Sequence, residues 1–380
     1  MLEFTILKIV WWMIVGVILM VYASTAGFDL GVTLIMPFLR KEVDRRVALN
    51  ASAPTWDGNQ TWIVFAGGAL FVVWPLVYST AFSGMYFAMF AIVWGFFLRP
   101  PGYDYRSKID SALWRRFWDW GLFTSSLIPV FIFGLAFGNC FHGYPFYFDT
   151  ITMRSFYVGG FGSLLNPIGI YCGVMALIMT IMHGFAYLAR RTENPLRQTA
   201  RVGHVISTLL TLAMFIAAGF FVAHMPGYIL ESSPVNPRNV PFDNVVSIKN
   251  GAWLQSLNVY EWKRFAPGLM IVGALLSLWA NYFRWYATCF WGSVMCVSGI
   301  IATAGATLFP FLMPSSIRPD QSITVWNGVS TQYALNTMLY VGVVILLIIL
   351  AYKIFAYWSV WHDKKAISRE DVAENEHTFY

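Results

Sequence analysis

The sequence predicts an all-α polytopic membrane protein, and three observations carry that prediction. Hydrophobic residues make up 58% of the 380-residue chain and charged residues only 12%, whereas a soluble domain carries roughly twice that charge fraction. The apolar residues gather into runs of about twenty, the length that crosses a bilayer core at 1.5 Å per residue. Seventeen Trp and nineteen Tyr suit two aromatic belts at the membrane interfaces. The net charge of +6 does not indicate nucleic acid, because Lys and Arg cluster between the apolar runs, which is a topology signal.

The first run, about 6–35, begins like a signal peptide, with Lys8, the apolar Ile9–Tyr22 and then Ala23-Ser24-Thr25-Ala26. The apolar stretch nevertheless continues past Gly27-Phe28-Asp29 to Leu39 and contains Trp11 and Trp12, so it reads as an uncleaved span. The runs 59–76 and 79–98 follow, separated only by Trp74-Pro75, which predicts a hairpin. Six more runs, 119–139, 163–187, 203–224, 265–283, 287–311 and 335–359, complete about nine spans in a single integral-membrane domain, 1–380. Pro310 and Pro314 end the eighth run; Phe309, Phe311 and Met313 there could alternatively line an apolar pocket.

The loops set the orientation. One side receives Arg40, Lys41, Arg45, Arg46, Arg99, Arg106, Lys108, Arg115, Arg116, Arg190, Arg191, Arg197, Arg201, Arg284, Lys364, Lys365 and Arg369. The other receives Arg154, Arg238, Lys249, Lys263, Arg264 and Arg318. The asymmetry predicts the N-terminus outside and the C-terminus in the cytoplasm. The 225–262 segment, with Pro226, Pro234, Pro237 and Pro241, reads as an exposed loop or partner-contact surface. Ala66-Gly67-Gly68-Ala69-Leu70-Phe71 is faintly echoed by Ala304-Gly305-Ala306-Thr307-Leu308-Phe309, through related half-bundles or through coincidence among small residues.

Candidate chemistry lies where polar groups enter the apolar runs, because lipid offers them no hydrogen-bonding partner. Trp56-Asp57-Gly58-Asn59-Gln60-Thr61-Trp62 directly precedes about forty almost uncharged residues. Asp57 reads either as a first-turn acid favoured by the helix dipole or as a protonatable carboxylate in a hydrated inlet. Asp29, between Gly27 and Gly31, is an intramembrane acid that needs a partner on another span or chain. Arg99-Pro100-Pro101-Gly102-Tyr103-Asp104-Tyr105-Arg106-Ser107-Lys108 reads as a solvated face or as a funnel on the same side as Asp57.

The remaining residue types exclude other classes. Cys140, Cys172, Cys289 and Cys296 show neither CxxC nor Cys/His ligand spacing, so free thiols are expected. His142, His183, His204, His224, His362 and His377 form no HxxxH or HxxE pattern within a span. No metal site and no heme held by this chain alone is therefore expected. P-loop, GxSxG and HExxH patterns are lacking, which leaves ATPase and hydrolase readings unsupported.

These strings together resemble subunit II of the cytochrome bd-type quinol oxidases over the full length. The matching stretches are Trp11-Trp12, Gly27-Phe28-Asp29-Leu30-Gly31, Ala53-Pro54-Thr55 with the string through Trp62, and Ala66–Phe71. Arg99-Pro100, Tyr103–Lys108, Trp118-Asp119-Trp120-Gly121, Gly251-Ala252-Trp253, Phe309–Ser316 and Tyr380 follow in order. The resemblance implies two four-helix bundles plus one peripheral helix, in a bacterial inner membrane. It implies a heme-free subunit paired with a subunit I that carries heme b558, heme b595, heme d and the quinol-oxidation site. The complex would oxidise quinol and reduce O2 to water with protons from the cytoplasm. By the same resemblance Asp57, Asp104, Lys108 and Tyr380 would lie along a proton path, and Trp62 at an oxygen channel. A small single-span accessory subunit and a structural quinone, of unassigned ligands, belong to some members. Two departures stand out: Ala26 and Asn327 occupy positions where Asp is usual. A proton-coupled secondary transporter is the alternative reading, resting on the intramembrane acids and the faint repeat.

Overall fold

In hydrocarbon every backbone N–H and C=O must find its partner within the segment, so the apolar runs fold as helices. The computed structural model describes residues 3–232, 244–259, 261–362 and 366–374. The first half comprises α1 (Phe4–Ile35), α2 (Glu42–Ser52), α3 (Trp56–Val73), α4 (Pro75–Gly84), α5 (Tyr86–Phe97), α6 (Arg99–Tyr105) and α7 (Ala112–His142). The second half comprises α8 (Phe161–Leu164), α9 (Pro167–Arg191), α10 (Leu196–His224), α11 (Ala252–Val259), α12 (Phe265–Tyr282), α13 (Tyr286–Leu308), α14 (Gln332–His362) and α15 (Arg369–Glu374). Local signals set several starts: Ser111 accepts from the Trp114 N–H before α7, and Asn166 accepts from the Gly169 N–H before α9, where Pro167 takes the first position.

Among the described residues seven helices are long and apolar enough to cross a bilayer, or eight if α3 and α4 count as one bent span. The difference from the nine expected runs lies in 59–98. The polar first turns of α3 shorten its apolar length. Trp74, preceding a proline, leaves the helical region at φ −125° and ψ 72°, and α4 turns away by 118°. The chain breaks again at Met85, so the 79–98 run is divided between α4 and α5.

Helix α9 packs against α1, α7, α10 and α13, while α12 and α13 form a tight antiparallel pair. Helix α1 also meets α3, α7 and α13; α5 lies on α7; α14 touches chiefly α3 and α1. The α1–α9 crossing is close because a Cβ on Gly31 would overlap the Thr180 carbonyl and the Gly184 backbone.

The 225–262 segment corrects the expectation of an extended loop. Its β-branched stretches pair as an antiparallel hairpin, Pro226–Ser232 with Val245–Asn250, and α11 buries Trp253 beneath it. Residues 233–243, with three of the four prolines that suggested a loop, lie outside the described residues. Two smaller hairpins accompany it, Phe146–Phe148 with Ser155–Tyr157 and Phe311–Met313 with Ile323–Thr324. Phe311 and Met313 are buried in strand packing and are not among the residues that line the apolar cavity between α1, α7 and α9.

Candidate functional site

A buried carboxylate organises the polar interior. Asp29 on α1 is fully buried and accepts hydrogen bonds from the Asn59 amide at 2.5 Å and the Thr55 hydroxyl at 3.2 Å. Thr55 caps α3 and Asn59 lies in its first turn, so the polar string wraps the acid at its own helix start. The Asn59 carbonyl oxygen in turn accepts from the Tyr357 hydroxyl at 2.6 Å and from Lys353 Nζ at 3.5 Å, both on α14. Lys353 is buried, sits against Gly58, and lies within electrostatic reach of both Asp29 and Asp57. Arg99, the second cation acting on Asp29, is fully buried. It donates to Ser126 Oγ at 2.8 Å beneath the stacked rings of Trp56 and Tyr103, whose centroids are 4.9 Å apart. Burial pushes the Tyr103 hydroxyl up to about 12, so it stays protonated at neutral pH.

The site residues read from sequence divide into two groups. Asp57, Asp104 and Lys108 are all exposed, at the end of the bundle where α3 begins and α6 lies. Among the described residues these three form no hydrogen bond or ion pair with one another. Tyr380 lies outside the described residues. The 99–108 cluster is divided likewise: Asp104 and Lys108 face outward, whereas Arg106 is fully buried and donates to Asp119 at 2.6 Å and Glu42 at 2.8 Å. Asp29 has the partner it required, on α3.

Sequence reasoning passed over Lys353, although it is the lone charge between Gln332 and Trp361 and a lysine within hydrocarbon is costly. The two buried histidines take the ordinary polar roles that the lack of a ligand pattern suggested, tying helices together. His183 Nε2 faces the Ser24 carbonyl at 2.8 Å, and its Nδ1 meets Ser293 Oγ at 2.8 Å. His204 Nε2 meets Ser277 Oγ at 2.6 Å, with Nδ1 on the Met182 carbonyl at 3.2 Å. Each ring thus donates to a carbonyl and presents its other nitrogen to a hydroxyl, as a neutral imidazole does.

Trp62 is 3% exposed and belongs to one buried cluster with Tyr22, Leu30, Val130 and Ala176. Those four residues also line an apolar cavity of about 300 Å³ that runs between α1, α7, α9, α10 and α13. Among the described residues no three His, Cys, Asp or Glu side chains converge as a metal-ligand set, and all four cysteines are free. Ala26 is buried beside Trp62, so Asp29 relies on Thr55 and Asn59 rather than on a neighbouring acid. Asn327 accepts from the Thr324 N–H at 2.7 Å and donates to the Ser322 carbonyl at 3.2 Å.

Fold and site together define a polytopic helical membrane protein with a charge-balanced buried acid near one end and an apolar cavity within. The family model described as cytochrome bd terminal oxidase subunit II matches residues 7–360. The chain belongs to that family. It is 40% identical to the cytochrome bd-I ubiquinol oxidase subunit 2 of Escherichia coli (strain K12), over all of both chains. It is 39% identical to a probable cytochrome oxidase subunit 2 of Haemophilus influenzae, again over all of both. It is 27% identical to the cytochrome bd ubiquinol oxidase subunit 2 of Bacillus subtilis, over 95% of this chain and 97% of that one. A chain in the structure of the bd oxidase from Geobacillus thermodenitrificans shares the fold, with a TM-score of 0.69 at 11% identity. That likeness covers 94% of this chain and 99% of the other. The chain is thus a membrane subunit of a bacterial respiratory oxidase whose complex holds hemes and a subunit I. These comparisons support the oxidase-subunit reading and not the transporter alternative.

Proposed function

We propose that this chain serves a quinol:O2 oxidoreductase as its heme-free subunit. It supports assembly, delivers protons from the cytoplasm and gives O2 access to hemes held in subunit I. Full-length similarity to a cytochrome bd-I ubiquinol oxidase subunit 2 supports this reaction class, with quinol and O2 as the substrates of the complex. In this reading the N-terminus faces outside and the Arg-rich end faces the cytoplasm, where positive loops are retained.

The single observation that favours proton delivery is the buried Lys353 ammonium, which sits against Gly58, donates to Asn59 and lies within electrostatic reach of both the exposed acid Asp57 and the buried acid Asp29. The exposed Asp104 and Lys108 collect protons and Asp57 passes them inward; the family resemblance adds Tyr380 to the same route. Asp29, held by Asn59 and Thr55, marks the inner limit of the polar path. The apolar cavity suits an apolar occupant, O2 in transit or the isoprenoid tail of a structural quinone, because polar partners for water are scarce in its wall. Trp62, in one buried cluster with the lining residues Tyr22, Leu30, Val130 and Ala176, is the residue of this reading nearest an oxygen route.

The test is Asp57→Asn in the assembled two-subunit complex. Heme content should remain normal while O2 consumption and proton uptake fall together. Unchanged proton uptake in a fully assembled variant would remove Asp57 from the route.

A further inference from the structure

The Arg-rich end of the α10–α12 pair carries a second opening, unrelated to the acid cluster. It is a groove of about 300 Å³ lined by Gln198, Arg201, Val205, Ile206, Leu278 and Asn281, among others. Arg201 is half-buried and its guanidinium is fixed in place: Nε donates to Asn281 Oδ1 at 3.4 Å, Nη1 to Gln198 Oε1 at 3.2 Å, and Nη2 to the Asn281 carbonyl at 3.0 Å. Asn281 is itself anchored, donating to the Arg201 carbonyl at 3.0 Å. A guanidinium has five N–H donors, so one on each terminal nitrogen remains for a ligand. Charge-assisted donors of that kind suit the oxygens of a phosphate group.

The surroundings specify what carries the phosphate. No acidic side chain lines the groove. Arg197, one turn before Arg201, and the exposed Arg284 add positive charge, although Arg197 is engaged with Tyr286 and the Thr192 carbonyl. Below Arg201 the wall turns apolar, and exposed Val205, Ile206 and Leu209 continue it along α10. Exposed Trp279, Tyr282 and Trp285 stand at the same end of α12 and α13, which sets the opening at headgroup depth. We propose that this groove binds an anionic phospholipid, its phosphodiester on Arg201 and an acyl chain along Val205 and Ile206. A free phosphate would have no use for the apolar wall. A zwitterionic headgroup would find no acid for its ammonium, and basic pockets between membrane helices are general sites for anionic headgroups.

The experiment is native mass spectrometry of the purified, delipidated two-subunit complex. It is titrated with phosphatidylglycerol or phosphatidylethanolamine, with inorganic phosphate as competitor. The tightest phosphatidylglycerol adduct should weaken about tenfold in Arg201→Gln, the scale of one charge-assisted contact. Ile206→Trp, which fills the groove and leaves every Arg201 bond intact, should weaken it as well, and covers the case in which Arg201→Gln fails to assemble. The proposal is overturned if phosphatidylethanolamine binds as tightly as phosphatidylglycerol. It is equally overturned if Ile206→Trp binds like the parent, or if inorganic phosphate displaces the lipid.

Discussion

Asp29 on α1 and Asn59 on α3 meet at 2.5 Å, and the same Asn59 side chain receives the Tyr357 hydroxyl of α14 at 2.6 Å. One amide therefore joins three helices by using its donor and acceptor ends at once. Helix α14 otherwise exposes most of its surface and is only lightly packed. Its polar ties to Asn59 consequently carry much of its positioning, and they couple it to the acid.

Asn59→Leu should uncouple this joint. It removes a donor from a buried carboxylate and strands the Tyr357 hydroxyl, each a buried group left short of a partner. The expected loss is about 2–3 kcal/mol. It would appear as a lower unfolding midpoint of the intact complex, followed by heme absorbance. An unchanged midpoint would show that α14 is held by its apolar contacts alone.

Lys353→Met addresses the charge within electrostatic reach of Asp29 and Asp57. With a side chain of similar reach and no charge, the complex should assemble and keep its heme spectrum. O2 consumption should fall roughly tenfold, less than the 10²–10⁴ of a positioned acid or base at the chemical step, because delivery stands one step removed. Lys353→Arg should recover part of the rate. Recovery by Met as complete as by Arg would make Lys353 a packing residue.

Asn327→Asp installs the residue that the family resemblance leads one to expect there, yet it should destabilise this protein. The Asn327 amide donates to the Ser322 carbonyl, which also accepts from Asn244. A carboxylate can keep the bond from the Thr324 N–H but sets an anionic oxygen against that carbonyl. A cost of about 1–3 kcal/mol is expected, measurable as a lower midpoint. A higher midpoint would mean that the loop repacks around the acid.

Much of this was legible in the sequence, and the exceptions have physical causes. Runs such as 119–139 and 203–224 were readable because hydrocarbon forces helix on any long apolar stretch. The 59–98 stretch was harder: the chain breaks at Trp74 and again at Met85, and only the first break carries a proline. The hairpin of Pro226–Ser232 with Val245–Asn250 was hidden by the prolines between its strands. Asp29 announced itself as a buried acid between glycines, but its partners could not be read, since a sequence does not state which helix faces which. Lys353 shows the limit most clearly. Its cost was visible in an otherwise uncharged run, while its place within reach of two acids on other helices is a property of packing alone.

The Arg106–Asp119 pair separates the cost of breaking a buried ion pair from its net worth. Both side chains are buried, at 2.6 Å, with Glu42 and Arg45 completing the network that joins α2, α6 and α7. Asp119→Leu alone leaves the Arg106 guanidinium buried beside an apolar group, its charge answered only by the half-exposed Glu42. The expected cost is about 3–5 kcal/mol. Arg106→Met with Asp119→Leu removes both charges and refills the space with apolar volume, so the double variant should be more stable than the single one. Unfolding midpoints of the parent, both singles and the double would give the coupling. If the double variant is as unstable as the sum of the singles, the network contributes through its contacts to Glu42 and Arg45, and the central pair is not its source.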